Sequence, residues 1–171
     1  AASADLYRGR KVVLVPLAEN PQSAVDRVHD AWAACGARIY TMTPDEHDEV
    51  LAMISHLPHV LAYALVDQVC GHARTDTLWQ HAAGGFRDFT RIASSSPEMW
   101  RDICVANREA LVESIQGYER SLAHLKALIE RGNGAALATI FANARATRDR
   151  WVAHQAAENR GQGAVDPQAE L

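Results

Sequence analysis

Two pairs of side chains in this sequence have the types and the spacing to do chemistry. In GGFRDFTRIASSSPEMW, residues 84–100, Arg87 and Arg91 stand four residues apart, one helical turn, directly after Gly84 and Gly85. A guanidinium grips a carboxylate through two parallel hydrogen bonds, and withdrawal from water strengthens the grip, so this pair suits a small dianion. Backbone without side chains at the glycines lets a ligand come close. The bland reading is an ordinary surface pairing of Arg87 and Arg91 with Asp88 and Asp102, which contributes little.

The second pair is His56 and His59, which flank Leu57 and Pro58. Spacing of three places both rings near one face of a helix. Three readings stay open. As metal ligands they lack an HExxH pattern or a carboxylate at ligand spacing to complete the shell, so no metal is expected. As core histidines they would take the carbonyl that Pro58 leaves unpaired. As polar groups beside a proline kink they would line a ligand cleft. Trp79, Trp100 and Trp151 all fall on apolar stripes and read as core residues.

These side chains need elements to hold them. KVVLVP, residues 11–16, is a β-branched run stopped by proline, and ARIYTMT, residues 37–43, reads as a second strand. Between them Pro21 sits at a first-turn position of an amphipathic helix carrying Val25, Val28, Ala31 and Trp32, which Gly36 ends. Strand, helix and strand form a βαβ unit, and two strands alone are marginal, so this end reads as the edge of a larger α/β domain. From Thr43 onward the pattern is helical only. Thr43 caps a helix with Pro44, Asp45 and Glu46 in its first turn, and the helix runs apolar on most sides through Cys70, with a kink expected at Pro58. A short helix passes through Leu78 and Trp79. Ser96 and Pro97 then start what reads as the longest helix, its stripe running from Trp100 through Ile103, Leu111, Tyr118 and Leu122 to Ile129, about 50 Å at 1.5 Å per residue. RGNG turns the chain into an antiparallel return helix marked by Leu137, Phe141 and Trp151, and residues 156–171 read as a flexible tail.

The bulk numbers bound the partners. At 171 residues the chain fits one domain, or one plus a fragment. Seventeen basic against 21 acidic side chains, net charge -4, argue against a nucleic-acid surface. Cys35, Cys70 and Cys104 are scattered and odd in number, reading as reduced thiols of a cytoplasmic protein. No apolar run approaches the roughly 20 residues that cross a bilayer, so no membrane partner is expected. The chain opens without Met and its first recognisable element is a strand, which fits either processing or a start inside a longer polypeptide. The helical half carries more apolar surface than a small bundle buries, which predicts a homodimer.

DEHDEVLAMISHLPHVLAYAL, then GGFRDFTRIASSSPEMWRDI, then NREAL closely resemble the C-terminal helical domain of prephenate and arogenate dehydrogenases, with the likeness covering about residues 5–150. The resemblance implies a mainly α fold. In it residues 1–43 are the end of an NAD(P)-binding Rossmann domain, 44–155 an all-helical dimerisation and substrate-binding domain with two long antiparallel helices, and 156–171 a tail. It implies NAD- or NADP-dependent oxidative decarboxylation of prephenate or arogenate, in tyrosine biosynthesis. Arg91 would bind a substrate carboxylate, and His59 would line the same pocket, with Gly84, Arg87 and Trp100 at neighbouring positions and His56 nearby. Arg87 would reach the partner's cleft. The family's glycine-rich cofactor turn and its proton-accepting histidine, in an HPxxGSE-like segment, are not found in this chain, so no catalytic residue is expected here and the fragment by itself would be inactive. The family's glycine triplet stands here as Ala83-Gly84-Gly85. The alternative is a non-catalytic helical dimer that binds an aromatic effector such as tyrosine in the same cleft, and tyrosine would then act as an inhibitor.

Overall fold

The computed structural model describes residues 5–161, with side chains described through residue 158. The chain divides into two compact units, one of Thr43–Arg120 and the other of the residues up to Met42 with those from Ser121 onward.

In the split unit, β1 (Lys11–Leu14) and β2 (Arg38–Thr41) lie parallel in a two-stranded sheet, Lys11 opposite Arg38 and Leu14 opposite Thr41. Helix α1 (Gln22–Ala34) crosses between them. Pro21 precedes its first residue, standing as the N-cap and not inside the first turn. Gly36 reverses the chain at φ 75°, a region open to glycine but strained for other residues. Tyr7 meets Trp32 edge to face at 4.9 Å, covering that turn. Farther along, Gly132 takes φ 61° in the turn that leads into α8 (Gly134–Gly161). Half-buried Arg38 pairs with Glu158 at 3.2 Å, fastening the end of α8 to β2. Residues 162–171 of the expected tail lie outside the described residues.

The Thr43–Arg120 unit starts with α2 (Pro44–Leu51). Thr43 and Glu46 close a capping box. The Glu46 amide donates to the Thr43 hydroxyl at 3.2 Å, while the Glu46 carboxylate accepts from the Thr43 amide at 2.8 Å. The Thr43 amide, with the Thr43 hydroxyl donating to the same carboxylate at 3.0 Å, holds the Glu46 carboxyl below its ordinary pKa. The interruption expected at Pro58 comes earlier and takes a specific form. Residues 52–56 make one turn of π-helix, in which the Leu57 amide donates to the Ala52 carbonyl five residues back. α3 (Leu57–Cys70) then begins, and Pro58 falls in its first turn, a position that tolerates proline. Taken together, Pro44–Cys70 is 27 residues with a mean hydropathy of 1.4 in its most apolar window, so by length and composition this segment does reach the span excluded on sequence.

After α4 (Thr75–His81) and α5 (Gly84–Thr90), a single 3₁₀ turn, Arg91–Ser94, leads to α6 (Pro97–Ala106). Ser96 caps α6, its hydroxyl accepting from the Met99 amide at 3.3 Å. The continuous helix expected from Ser96 to Ile129 is divided. Asn107, at φ -104° and ψ 37°, separates α6 from α7 (Arg108–Glu130), and α8 with 28 residues is the longest described helix. Ala52, Leu57, Ala62, Trp100 and Leu111 form the buried apolar centre of this unit. Trp79 and Trp151, expected in the core, are exposed instead, at 42% and 61%. Trp79 meets only the edge of Phe86, at 5.7 Å, among the rings of the described residues.

Candidate functional site

α3 is the platform on which the site is built. The π turn, α5 and the 3₁₀ turn all pack against it, and the Tyr63 hydroxyl donates to the Ser95 carbonyl at 2.8 Å, tying α3 to the start of α6. One face of this platform brings His56, His59 and Trp100 together. The His59 ring stacks on the Trp100 indole with centroids 3.6 Å apart and planes 18° from parallel. His56 meets the same indole edge to face at 6.1 Å. Such arrangements match the quadrupoles of the rings and add to the burial of their area.

The hydrogen bonds set which ring nitrogens carry protons. His59 Nδ1 lies 2.9 Å from the Ser55 carbonyl, which can only accept, so Nδ1 donates and neutral His59 presents a bare Nε2. His56 is arranged the other way. Asn107 Nδ2 lies 2.8 Å from the Asp48 carbonyl and 3.1 Å from His56 Nδ1. The carbonyl fixes that amide atom as the nitrogen, so His56 Nδ1 accepts and neutral His56 carries its proton on Nε2. Neither imidazole takes the carbonyl of Ile54, the one expected to lose its partner to Pro58. Burial disfavours the imidazolium of His56 and lowers its pKa; the Asp48 carboxylate opposes that shift, and His47 and His59 add to it.

Trp100 is 8% exposed, and its indole N–H is buried with no hydrogen-bond partner among the described residues. A buried donor left unmade costs about 1–3 kcal/mol. The site therefore holds an unpaired indole donor stacked on a ring with a bare acceptor nitrogen; a ligand carboxylate or hydroxyl can accept from the first, and a hydroxyl can donate to the second.

The arginines stand differently. Arg91 opens the 3₁₀ turn that packs on α3 but is exposed, and among the described residues it has no ion-pair partner. Arg87 on α5 is solvent-facing, 3.8 Å from Asp88 with both side chains at least 80% exposed. Asp102, the other acid considered for these arginines, is taken by Arg101 at 2.8 Å. Among the described residues neither Arg87 nor Arg91 makes a hydrogen bond or a cation–π contact with the ring cluster. Gly84 and Gly85 occupy the first turn of α5, not a loop, and a Cβ added at either would meet nothing within 4 Å, so the backbone there is open. The structure thus gathers His56, His59 and Trp100 and leaves Gly84, Arg87 and Arg91 on neighbouring exposed surface. Among the described residues no three His, Cys, Asp or Glu side chains gather to hold a metal.

Sequence reasoning gave Asn107 no role. The signal was present: a lone amide interrupts the apolar stripe between Ile103 and Leu111, where a helix interior gains nothing from asparagine.

A helical unit with a polar aromatic site, in a chain that opens with a βαβ unit, defines the class. The family described as prephenate dehydrogenase, dimerization domain, matches residues 43–143, and the chain belongs to it. A cyclohexadienyl dehydrogenase of Zymomonas mobilis is 36% identical over 150 residues, 86% of this chain and 51% of that protein. A prephenate dehydrogenase of Bacillus subtilis is 35% identical over 150 residues, 87% of this chain and 40% of that one. Among solved structures, prephenate dehydrogenase from Aquifex aeolicus in complex with hydroxyphenyl propionate and NAD+ superposes with a TM-score of 0.80 at 39% identity, covering 85% of this chain and 51% of that one. Synechocystis arogenate dehydrogenase superposes at 0.77 with 27% identity, covering 86% and 54%. The chain spans about half the length of these relatives.

Proposed function

We propose that this chain is the dimerising and substrate-binding portion of a prephenate or arogenate dehydrogenase, which oxidises and decarboxylates a carboxylated cyclohexadienol using NAD or NADP. The observation that carries the reading is the unpaired Trp100 donor stacked on His59, inside the segment that matches the family. A dianionic ring needs polar partners when it leaves water, and burying a carboxylate without a counter-charge is prohibitive. Arg91 supplies that charge, since it is free of competing carboxylates and sits on a short turn braced by α3. Trp100 Nε1–H donates and His59 Nε2 accepts. His56 walls the cleft, Gly84 leaves room for the ligand, and Arg87 serves the partner's cleft. The NAD-type cofactor takes the hydride. The β1–α1 connection, VPLAENP, has no glycine with which to cradle a pyrophosphate, so these residues do not fit the cofactor and its binding falls to other parts of the whole enzyme. In this chain the side chains bind, orient and exclude water, and the proton of the ring alcohol goes to a group in another part of the whole enzyme. The two helical units of a homodimer complete the arrangement in the cytoplasm.

Steady-state kinetics of the whole enzyme test the reading. Arg91→Ala removes a charge-assisted hydrogen bond of about 1.5–3 kcal/mol, so kcat/KM for prephenate falls by about 10- to 150-fold. An unchanged kcat/KM rejects Arg91 as the carboxylate anchor. A variant that binds tyrosine normally but has lost only turnover would favour the effector reading of the cleft.

A further inference from the structure

We infer that Asn107 is a positioning residue that sets the tautomer of His56, and through it the donor that His56 presents beside Trp100. The inference rests on the substrate-binding reading of the cleft. Its basis is the geometry of one amide nitrogen with two hydrogens and two fixed acceptors. One hydrogen goes to the Asp48 carbonyl at 2.8 Å and the other to His56 Nδ1 at 3.1 Å. A backbone carbonyl cannot donate, so the amide cannot be flipped without facing oxygen to oxygen. With the amide fixed, His56 Nδ1 has a donor in front of it and must stay bare. Its proton is held on Nε2, which has no protein partner among the described residues.

The arrangement is placed to matter. Asn107 is 8% exposed and occupies the break between α6, which carries Trp100, and α7. It joins α2 through Asp48 and the π turn through His56, so a single side chain ties three elements together at the ring cluster. The two imidazoles then differ in kind. His59 offers a lone pair at Nε2, since the Ser55 carbonyl takes its Nδ1–H, whereas His56 offers an N–H at Nε2. With the Trp100 N–H, the site presents two donors and one acceptor, enough to orient a ligand that has both a hydroxyl and a carboxylate. The charged and titratable groups facing His56 are Asp48 and His47 on α2 and His59 on α3. None of them supplies the contact at Nδ1, which belongs to Asn107.

Nitrogen-15 NMR of the histidine rings tests this on the chain itself. In the wild type His56 is expected as the Nε2–H tautomer at neutral pH, and a wild-type His56 protonated on Nδ1 overturns the inference with no variant needed. Asn107→Asp replaces the donor by an acceptor, so the His56 titration midpoint is expected to rise by at least one pH unit and the proton to appear on Nδ1. A midpoint that stays put would contradict the assignment. Calorimetry with hydroxyphenyl propionate supplies the second arm, where Asn107→Asp is expected to weaken binding at least tenfold. Unchanged affinity beside a switched tautomer would overturn the link from His56 to the ligand. The ring-nitrogen readout needs no ligand. A wild-type chain that binds none therefore counts against the proposed function, while the NMR result still decides the tautomer.

Discussion

Trp100 carries two opposite features in one side chain. Its ring is buried among imidazoles and stabilises the unit, while its N–H is buried with no partner and costs free energy until something accepts it. Its neighbour His56 ties the same spot to pH. Burial lowers the folded pKa of His56, so the unfolded chain binds that proton more readily than the folded one. Stability is then at its full value above about pH 6.5, the ordinary histidine pKa, and falls as the pH drops from there toward the folded pKa. Glu46 and Glu98 also have lowered values, but their contributions are lost only as the pH falls through folded pKa values below 4.5. Urea denaturation is therefore expected to show a lower midpoint at about pH 5 than at about pH 7.5, and His56→Asn is expected to shrink the difference. Equal pH dependence in both proteins would show that His56 is not the group responsible.

Among the elements, the π turn before α3 relieves the proline. In the interior of an ordinary helix Pro58 would cost about 3 kcal/mol. Here the turn has already changed the hydrogen-bonding partner, and Pro58 falls in the first turn of α3, where proline is tolerated. Pro58→Ala is accordingly expected to change stability by less than about 1 kcal/mol in thermal unfolding. A gain near 3 kcal/mol would mean that the proline is strained after all. Much of this was legible beforehand. The capping box at Thr43, the Ser96 cap, the βαβ unit and the pairing of His56 with His59 follow from local residue chemistry, which needs no partner to act. The π turn was not legible, and the sequence showed only that an amide interrupts the stripe at position 107, not what it binds, because its partners lie across the fold: Asn107 to Asp48 spans 59 positions and Asn107 to His56 spans 51. The burial of Trp100 but not of Trp79 or Trp151 escaped for the same reason, since all three have similar local patterns.

For the whole molecule, the exposed apolar surface is the dominant fact. Ile129 is 64% exposed and Phe141 56%, and Leu122, Val105 and Val112 are likewise exposed. In the unit of residues 43–120, Val50, Met53, Ile54 and Ala110 line a groove of roughly 450 Å³ that Glu49, Glu113 and Arg120 border. Apolar area of this kind is characteristic of surface that another chain covers, and the family is described by its dimerisation. The expected state is a homodimer in sedimentation equilibrium, and Ile129→Glu with Phe141→Arg is expected to give a folded monomer or a dimer at least 100-fold weaker. A double variant that dimerises as tightly as the wild type would put the interface elsewhere.

The π turn also sets what this segment can tolerate. A helix advances about 100° per residue, and the wider π turn takes up one extra residue without swinging the faces on its two sides. Val50, Met53 and Ile54 line the groove while His59 faces Trp100. Deleting one residue between Leu51 and Leu57 would close the π turn into ordinary α-helix and keep Asp48 near Asn107, whereas deleting one inside α3 would swing the side chains on one side of the cut by about 100°. The π turn is the one place in this stretch where the count of residues has slack.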